Sequence, residues 1–549
     1  MKYYTFILAL FFSIVMPGYT LFSQVSQNEA KKPKLIVGVV VDQMRYDYLT
    51  KFSNKYGEGG FKKLEREGHN FKNNYLNYVP TKTAPGHASI YTGTTPSVHG
   101  IINNSWYNKK LKKIEYCVND PNVSPVGTGS KVERHSPNNL LVETIGDANT
   151  IATNGKGKTI SIALKSRAAI LSGGKKADAA YWFRGKGQGG WITSSYYTEQ
   201  LPEWVRKFNE SEKVDIYLDT WNTLLPIESY TESTRDNTSF ERGFNGKEKV
   251  TFPYNLKALA PENGNYDILK YTPFGNSLTL DFALAALENE ALGKDEFTDF
   301  LLISFSSTDY IGHNFGVNAI ETEDAYLRLD RDIERMLLEL NKKVGKENYT
   351  LFLTADHGAL ENSNFLKSEG IAASYFKEGS FKSDLKTKMF ALYKDVNVIE
   401  DISNNQIYFN KEKIKELGLT VEELTKNILI FLNDYPMIAK ALSRKQILSQ
   451  EFTSTKAQYI QKGFHKERGG DIYYVLEQNT AVYAQSGSGH GSLYEYDSHI
   501  PLLFYGARIK KGETNERTYS TSIVATIAEI IDLKIPDTAS NLSLKCIKL

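Results

Sequence analysis

Residues 34–44 (KLIVGVVVDQM) form a continuous apolar run closed by Asp42, the pattern of a strand buried on both faces as in a parallel sheet. Residues 46–68 read as a helix, 71–77 as a short strand, and 83–92 as a helix that stops before Gly93-Thr94-Thr95-Pro96. Helical spacing recurs over 139–150, and a second buried strand, 158–164 (KTISIAL), runs directly into Lys165-Ser166-Arg167. A helix over 276–292, a strand over 299–305, an amphipathic helix over 321–344 and a strand over 349–354 continue the alternation. Such alternation predicts an α/β fold, a mostly parallel sheet sandwiched by helices, with ligands gathered beyond the carboxyl ends of the strands. Residues 191–272 and 360–467 interrupt it and read as insertions capping the sheet, the second carrying its own elements over 411–417 and 421–432. Residues 471–476, 501–505 and a helix over 522–533 are expected to complete the core.

At 549 residues, 41% hydrophobic and 12% aromatic, the chain can bury a large core with sizeable insertions. Lys and Arg number 66 against 64 Asp and Glu, and no long basic run stands out, so neither nucleic acid nor an anionic membrane is indicated as an obligatory partner. Residues 1–24 join Lys2, an apolar run and Pro17-Gly18 in the layout of a secretory signal peptide, which leaves one domain over 25–549. An uncleaved anchor is the competing reading, but the run is short for a span of roughly 20 apolar residues. Export to a periplasm or beyond is expected, with no stable membrane anchor. Cys117 and Cys546 are compatible with a disulfide or with two free thiols.

The polar residues at the strand ends change the picture from fold to chemistry. They are Asp42, then Asp309 with His313, then the pair Asp356-His357, with His490 in the glycine-rich loop 486–492. Three carboxylates and three imidazoles suit Zn²⁺, whereas Mg²⁺ or Ca²⁺ would lean on oxygen alone. Six such ligands are too many for one tetrahedral zinc with an open position and suit two Zn²⁺, the arrangement that stabilises attacking and leaving oxygens in phosphoryl transfer. Thr83 begins the predicted helix, where unpaired N–H groups favour an anion; it is either a simple N-cap or a nucleophile.

The runs Val40-Val41-Asp42-Gln43-Met44-Arg45, Thr81-Lys82-Thr83-Ala84-Pro85-Gly86-His87, His99-Gly100-Ile101-Ile102-Asn103-Asn104, Asp309-Tyr310-Ile311-Gly312-His313 and Thr354-Ala355-Asp356-His357-Gly358, with His490, resemble the alkaline phosphatase superfamily over residues 34–535. The chain looks most like the secreted, phosphate-irrepressible alkaline phosphatases of PafA type and is close to the nucleotide pyrophosphatase/phosphodiesterases. The resemblance implies one zinc on Asp309, His313 and His490, and another on Asp42, Asp356 and His357 with Thr83 Oγ1 facing substrate. It makes Thr83 the nucleophile and Asn104 a donor to a phosphoryl oxygen. Lys165 and Arg167 match the monoesterase branch, since a monoester carries two negative charges and rewards two cations; they would stand in for the magnesium site of some other alkaline phosphatases. The implied activity is broad hydrolysis of small-molecule phosphate monoesters through a phosphothreonine, with a phosphodiesterase using the same zincs as the alternative. His87, His99 and His499 receive no ligand role.

Overall fold

The computed structural model describes Met1 and residues 31–187, 189–482 and 485–548, so the segment read as a signal peptide lies, Met1 apart, outside the described residues. Ten strands form the main sheet: β1 Leu35–Val41, β2 His69–Phe71, β3 Pro125–Val126, β4 Thr159–Ala163, β5 Ala179–Arg184, β6 Gly190–Ser194, β7 Asp299–Phe305, β8 Tyr349–Thr354, β9 Leu502–Gly506 and β10 Gly512–Thr514. Their order is β10-β2-β9-β8-β1-β7-β4-β5-β6-β3. The five central strands, β8 to β5, are parallel, and β9 and β6 flank them antiparallel.

Every residue of β1 is buried, as its unbroken apolar run requires. Val37, Val39 and Val41 enter one core cluster and Ile36 and Val40 another, so helices cover both faces. These helices include α1 Thr83–Thr92, α2 Ser166–Gly173, α3 Pro273–Asn289, α4 Ser307–Phe315, α5 Ile320–Lys343 and α6 Ile523–Ile530. Among the described residues no helix is long and apolar enough to cross a membrane. Cys117 and Cys546 are buried free thiols in separate apolar clusters.

Several expectations need correction. Residues 46–68 hold two short helices, Tyr48–Lys51 and Phe61–Glu67, instead of one. The turn between them presses on α5: Asp330 accepts from the N–H groups of Gly57 and Phe61 at 2.8 and 2.7 Å, and a Cβ on Gly60 would lie 2.3 Å from the Asp330 carbonyl. Helix 139–150 begins only at Ile145, because Thr144 and Asp147 close a reciprocal capping box there. Ile472–Leu476 does not complete the core; it pairs with Gln406–Phe409 and Ile438–Ser443 in a separate four-stranded sheet with Ile399–Ser403. A short, wholly buried apolar run marks a strand but does not say which sheet it joins. Residues 190–194, read as the start of an insertion, instead form β6 of the main sheet between β5 and the edge strand β3, and short helices and a two-stranded pair follow up to α3.

Candidate active site and metal centre

The four neighbouring strands β8, β1, β7 and β4 deliver their ends to one place, as expected for an open parallel sheet. Asp42 follows β1, Asp356 and His357 follow β8, Lys165 caps α2 after β4, and α4 carries Asp309 and His313 one turn apart after β7. Each ring Nδ1 of His313, His357 and His490 lies 2.8 or 2.9 Å from a backbone carbonyl, of Ser488, Gly358 and Thr81 respectively. A carbonyl only accepts, so each Nδ1 carries a proton, and Nε2 is the atom each ring offers as a lone pair whenever the ring is neutral. Burial pulls the His357 pKa down to about 4 and holds that of His490 well below the usual imidazole value, so both rings are neutral near pH 7, the state a metal needs.

Two groups of donor atoms form. Asp309, His313 and His490 make one, with Asp309 Oδ1 at 3.2 Å from His313 Nε2 and 3.6 Å from His490 Nε2. Asp42, Asp309 and His357 make the other, so Asp309 belongs to both. Asp356 also approaches it, since His357 Nε2 is 3.5 Å from both Asp42 Oδ1 and Asp356 Oδ2. Donors around a tetrahedral zinc with bonds of roughly 2.0–2.1 Å sit about 3.3 Å apart, so these spacings fit such a metal. Asp42 Oδ1, Asp356 Oδ2 and His357 Nε2 are buried atoms with no hydrogen-bond partner among the described residues, a costly state that a shared cation would relieve.

Lys165 Nζ lies 2.6 Å from Asp42 Oδ2 and 2.5 Å from Asp309 Oδ2. Burial opposes its charge, but those two carboxylates outweigh burial and hold its pKa above the usual ammonium value. Burial likewise works against Asp309, yet His313 and Lys165 hold that carboxyl well below its usual range. Asp42 is pushed the other way, up, by burial and by Asp356 beside it.

Thr83 is buried and opens α1, but Lys82 occupies the N-cap position and no side-chain cap bond is made. The Thr83 hydroxyl instead accepts from Arg167 Nη2 at 3.3 Å and Lys165 Nζ at 3.5 Å. The simple capping reading of Thr83 therefore fails. Asn104 Oδ1 accepts from Ala84 N–H at 2.9 Å, which orients the carboxamide at the helix start and leaves Nδ2 as its donor. A Cβ on Gly86 would lie 2.4 Å from the Asp356 carbonyl, so glycine allows α1 to approach the β8 end.

Three supporting residues escaped sequence reasoning. Gln43 donates from its backbone to Asp356 Oδ1 at 3.2 Å and from Nε2 to Asp309 Oδ1 at 2.7 Å. His87, treated as structural, hydrogen-bonds through Nδ1 to the Thr83 carbonyl at 2.9 Å, with Asp356 Oδ2 at 3.3 Å from the same nitrogen, and its Nε2 lies 2.9 Å from Ser304 Oγ. Asp497 joins the two ligand-bearing loops: Oδ2 accepts from Gly491 N–H at 3.0 Å and Ser492 N–H at 2.7 Å, while its carbonyl accepts from Gly358 N–H at 2.8 Å. No motif marks Asp497, and only its nearness to His499 could have drawn attention. His499 itself is stacked between Tyr46 and Tyr75, a packing role. Asp497→Leu is expected to speed metal loss to a chelator about tenfold or more, whereas Asp497→Asn, which keeps an acceptor oxygen, stays near wild type. Wild-type metal loss from both variants would refute the loop-joining role.

The family model described as type I phosphodiesterase / nucleotide pyrophosphatase matches residues 36–499. The chain is 42% identical over 521 residues to a Myroides odoratus protein named calcium-transporting ATPase, covering 94% of this chain and 95% of that one. It is 41% identical over 515 residues to alkaline phosphatase PafA of Elizabethkingia meningoseptica, covering 93% and 94%. The crystal structure of wild-type alkaline phosphatase PafA superposes with a TM-score of 0.91 at 40% identity, covering 95% of this chain and all of that one. The agreement extends over nearly the whole chain and includes both ligand loops, and it places this protein in the type I phosphodiesterase/nucleotide pyrophosphatase family of the alkaline phosphatase superfamily.

Proposed function

We propose that this protein is an exported, dizinc alkaline phosphatase that hydrolyses a broad range of phosphate monoesters to an alcohol and inorganic phosphate. The observation that carries the reading is the convergence of two cations, Lys165 and Arg167, on the hydroxyl of Thr83. A dianionic monoester rewards both charges, and the guanidinium can engage two phosphoryl oxygens at once. The donor atoms of Asp309, His313 and His490, and of Asp42, Asp356, His357 and Thr83, would hold the two zincs, which supply Lewis acidity and lower the pKa of a bound hydroxyl.

Thr83 Oγ1 attacks phosphorus, the bond to the ester oxygen breaks, and phosphothreonine forms as the alcohol leaves with a proton. Water then cleaves the phosphothreonine, returns the Thr83 hydroxyl and releases phosphate. Asn104 Nδ2, Lys165 and Arg167 hold the non-bridging oxygens throughout; a donor so placed contributes about 3 kcal/mol at the transition state. The signal-like residues 1–24 support export. The terminal phosphoryl group of ATP is dianionic like that of a monoester, so release of phosphate from ATP falls in the same reaction class, in keeping with the name of the Myroides relative.

The family description itself favours a second reading, a phosphodiesterase using the same zincs and Thr83. Comparing kcat/KM for an aryl monoester and an aryl diester separates them. The monoester is expected to lead by orders of magnitude, and a diester lead of that size would sink the proposal.

A further inference from the structure

A cavity of about 250 Å³ lies between the active-site loops and the lobe that carries the four-stranded sheet. Its inner wall includes Lys82, Asn103 and His490. His490 belongs to a metal-ligand group, and Lys82 and Asn103 are the chain neighbours of Thr83 and Asn104, so the wall meets the candidate metal site at His490 and continues along the segments that carry the phosphoryl-site residues. The outer wall comes from the lobe, where the aromatic rings of Phe376 and Tyr473 are buried beside it. That wall is fastened to the core: Asn404 Nδ2 donates to the Ser105 carbonyl at 2.8 Å, and the Tyr107 hydroxyl donates to Glu400 at 3.2 Å. The charged lining sets Lys82 against Glu378, Glu477 and Asp497, so the cavity has no excess positive charge to hold a second phosphate.

We propose that this cavity is the subsite for the organic group of the ester, and that it takes neutral, ring-bearing alcohols such as aryl or nucleoside groups. The inference rests on the phosphatase reading, because it needs the phosphoryl end at Thr83. With that end held at Asn104, Lys165 and Arg167, an organic group passing His490 enters the cavity and lies against Phe376 and Tyr473. Concave sites with aromatic walls and a few polar groups bind such rings. An ester of a very small alcohol fills none of this space. The lobe therefore adds size-dependent binding to a site that otherwise recognises only phosphate.

Val482 is 39% exposed and Glu477 is exposed, and both line the cavity, so larger side chains at either position narrow it without entering the core. The test compares Val482→Trp and Glu477→Trp with wild type on adenosine 5′-monophosphate, naphthyl phosphate and methyl phosphate; variant-to-wild-type ratios cancel intrinsic leaving-group reactivity. Each variant is expected to lose about tenfold or more in kcat/KM on the two ring-bearing esters and to stay within about twofold on methyl phosphate. Equal losses on all three, or none, overturn the subsite. The same ratios read as binding affinities in a Thr83→Ala background keep the test independent of turnover. Wild-type protein with no monoesterase activity would instead refute the phosphatase reading, so the two failures are distinguishable.

Discussion

Thr83→Ala is expected to lower kcat/KM for an aryl phosphate by about 10⁴-fold or more, the scale at which loss of a nucleophile removes a covalent route. The variant should remain folded. Thr83 makes no side-chain cap bond on α1, so the usual loss of about 1 kcal/mol for a removed N-cap does not apply. Among the described residues its hydroxyl meets only Lys165 and Arg167, both cations that a bound phosphate can satisfy instead. Inorganic phosphate should therefore still bind, and Thr83→Ser, which restores a hydroxyl, should recover most of the loss. Mass spectrometry of acid-quenched turnover should find a phosphoryl group on residue 83 in wild type and none in Thr83→Ala. Activity within tenfold of wild type would remove Thr83 from the mechanism.

The paired substitution Lys165→Ala with Arg167→Ala is expected to cost about 10³-fold or more on a monoester and about tenfold or less on a diester. The asymmetry follows from charge, since the diester has one negative charge where the monoester has two. Lys165→Ala has a second, separable effect. Its ammonium lies between Asp42 and Asp309, and its removal leaves two buried carboxylates facing each other. That arrangement destabilises the metal-free protein, and added zinc should restore much of the lost melting temperature by compensating the same charges. Equal losses on both esters would show that the two cations act on the protein alone.

Much of the site was legible before the fold was known. Strands ending in Asp42 and in Asp356-His357 declared themselves because a doubly buried strand is continuously apolar, which makes a polar residue at its end conspicuous. The helix carrying Asp309 and His313 was less visible. Its residues read as metal donors after β7 but not as part of a helix, although an i, i+4 spacing on one turn is what brings their donor atoms to 3.2 Å. Asp497 and Gln43 were not legible, because each acts through hydrogen bonds to residues far away in sequence.

The sequence by itself determined the alternation of buried strands and helices and the chemistry of the candidate donor set, three carboxylates and three imidazoles, since local burial and donor chemistry are written residue by residue; Thr83 as nucleophile came from the family resemblance and stands as a proposal. Only the tertiary structure decided that Asp309 serves both donor groups, that Thr83 is not a cap, that Lys165 bridges Asp42 and Asp309, and that residues 472–476 build a separate sheet over the site. Each of those facts depends on which distant segments become neighbours. Neighbourhood of that kind is set by the packing of the whole chain, which no local pattern specifies.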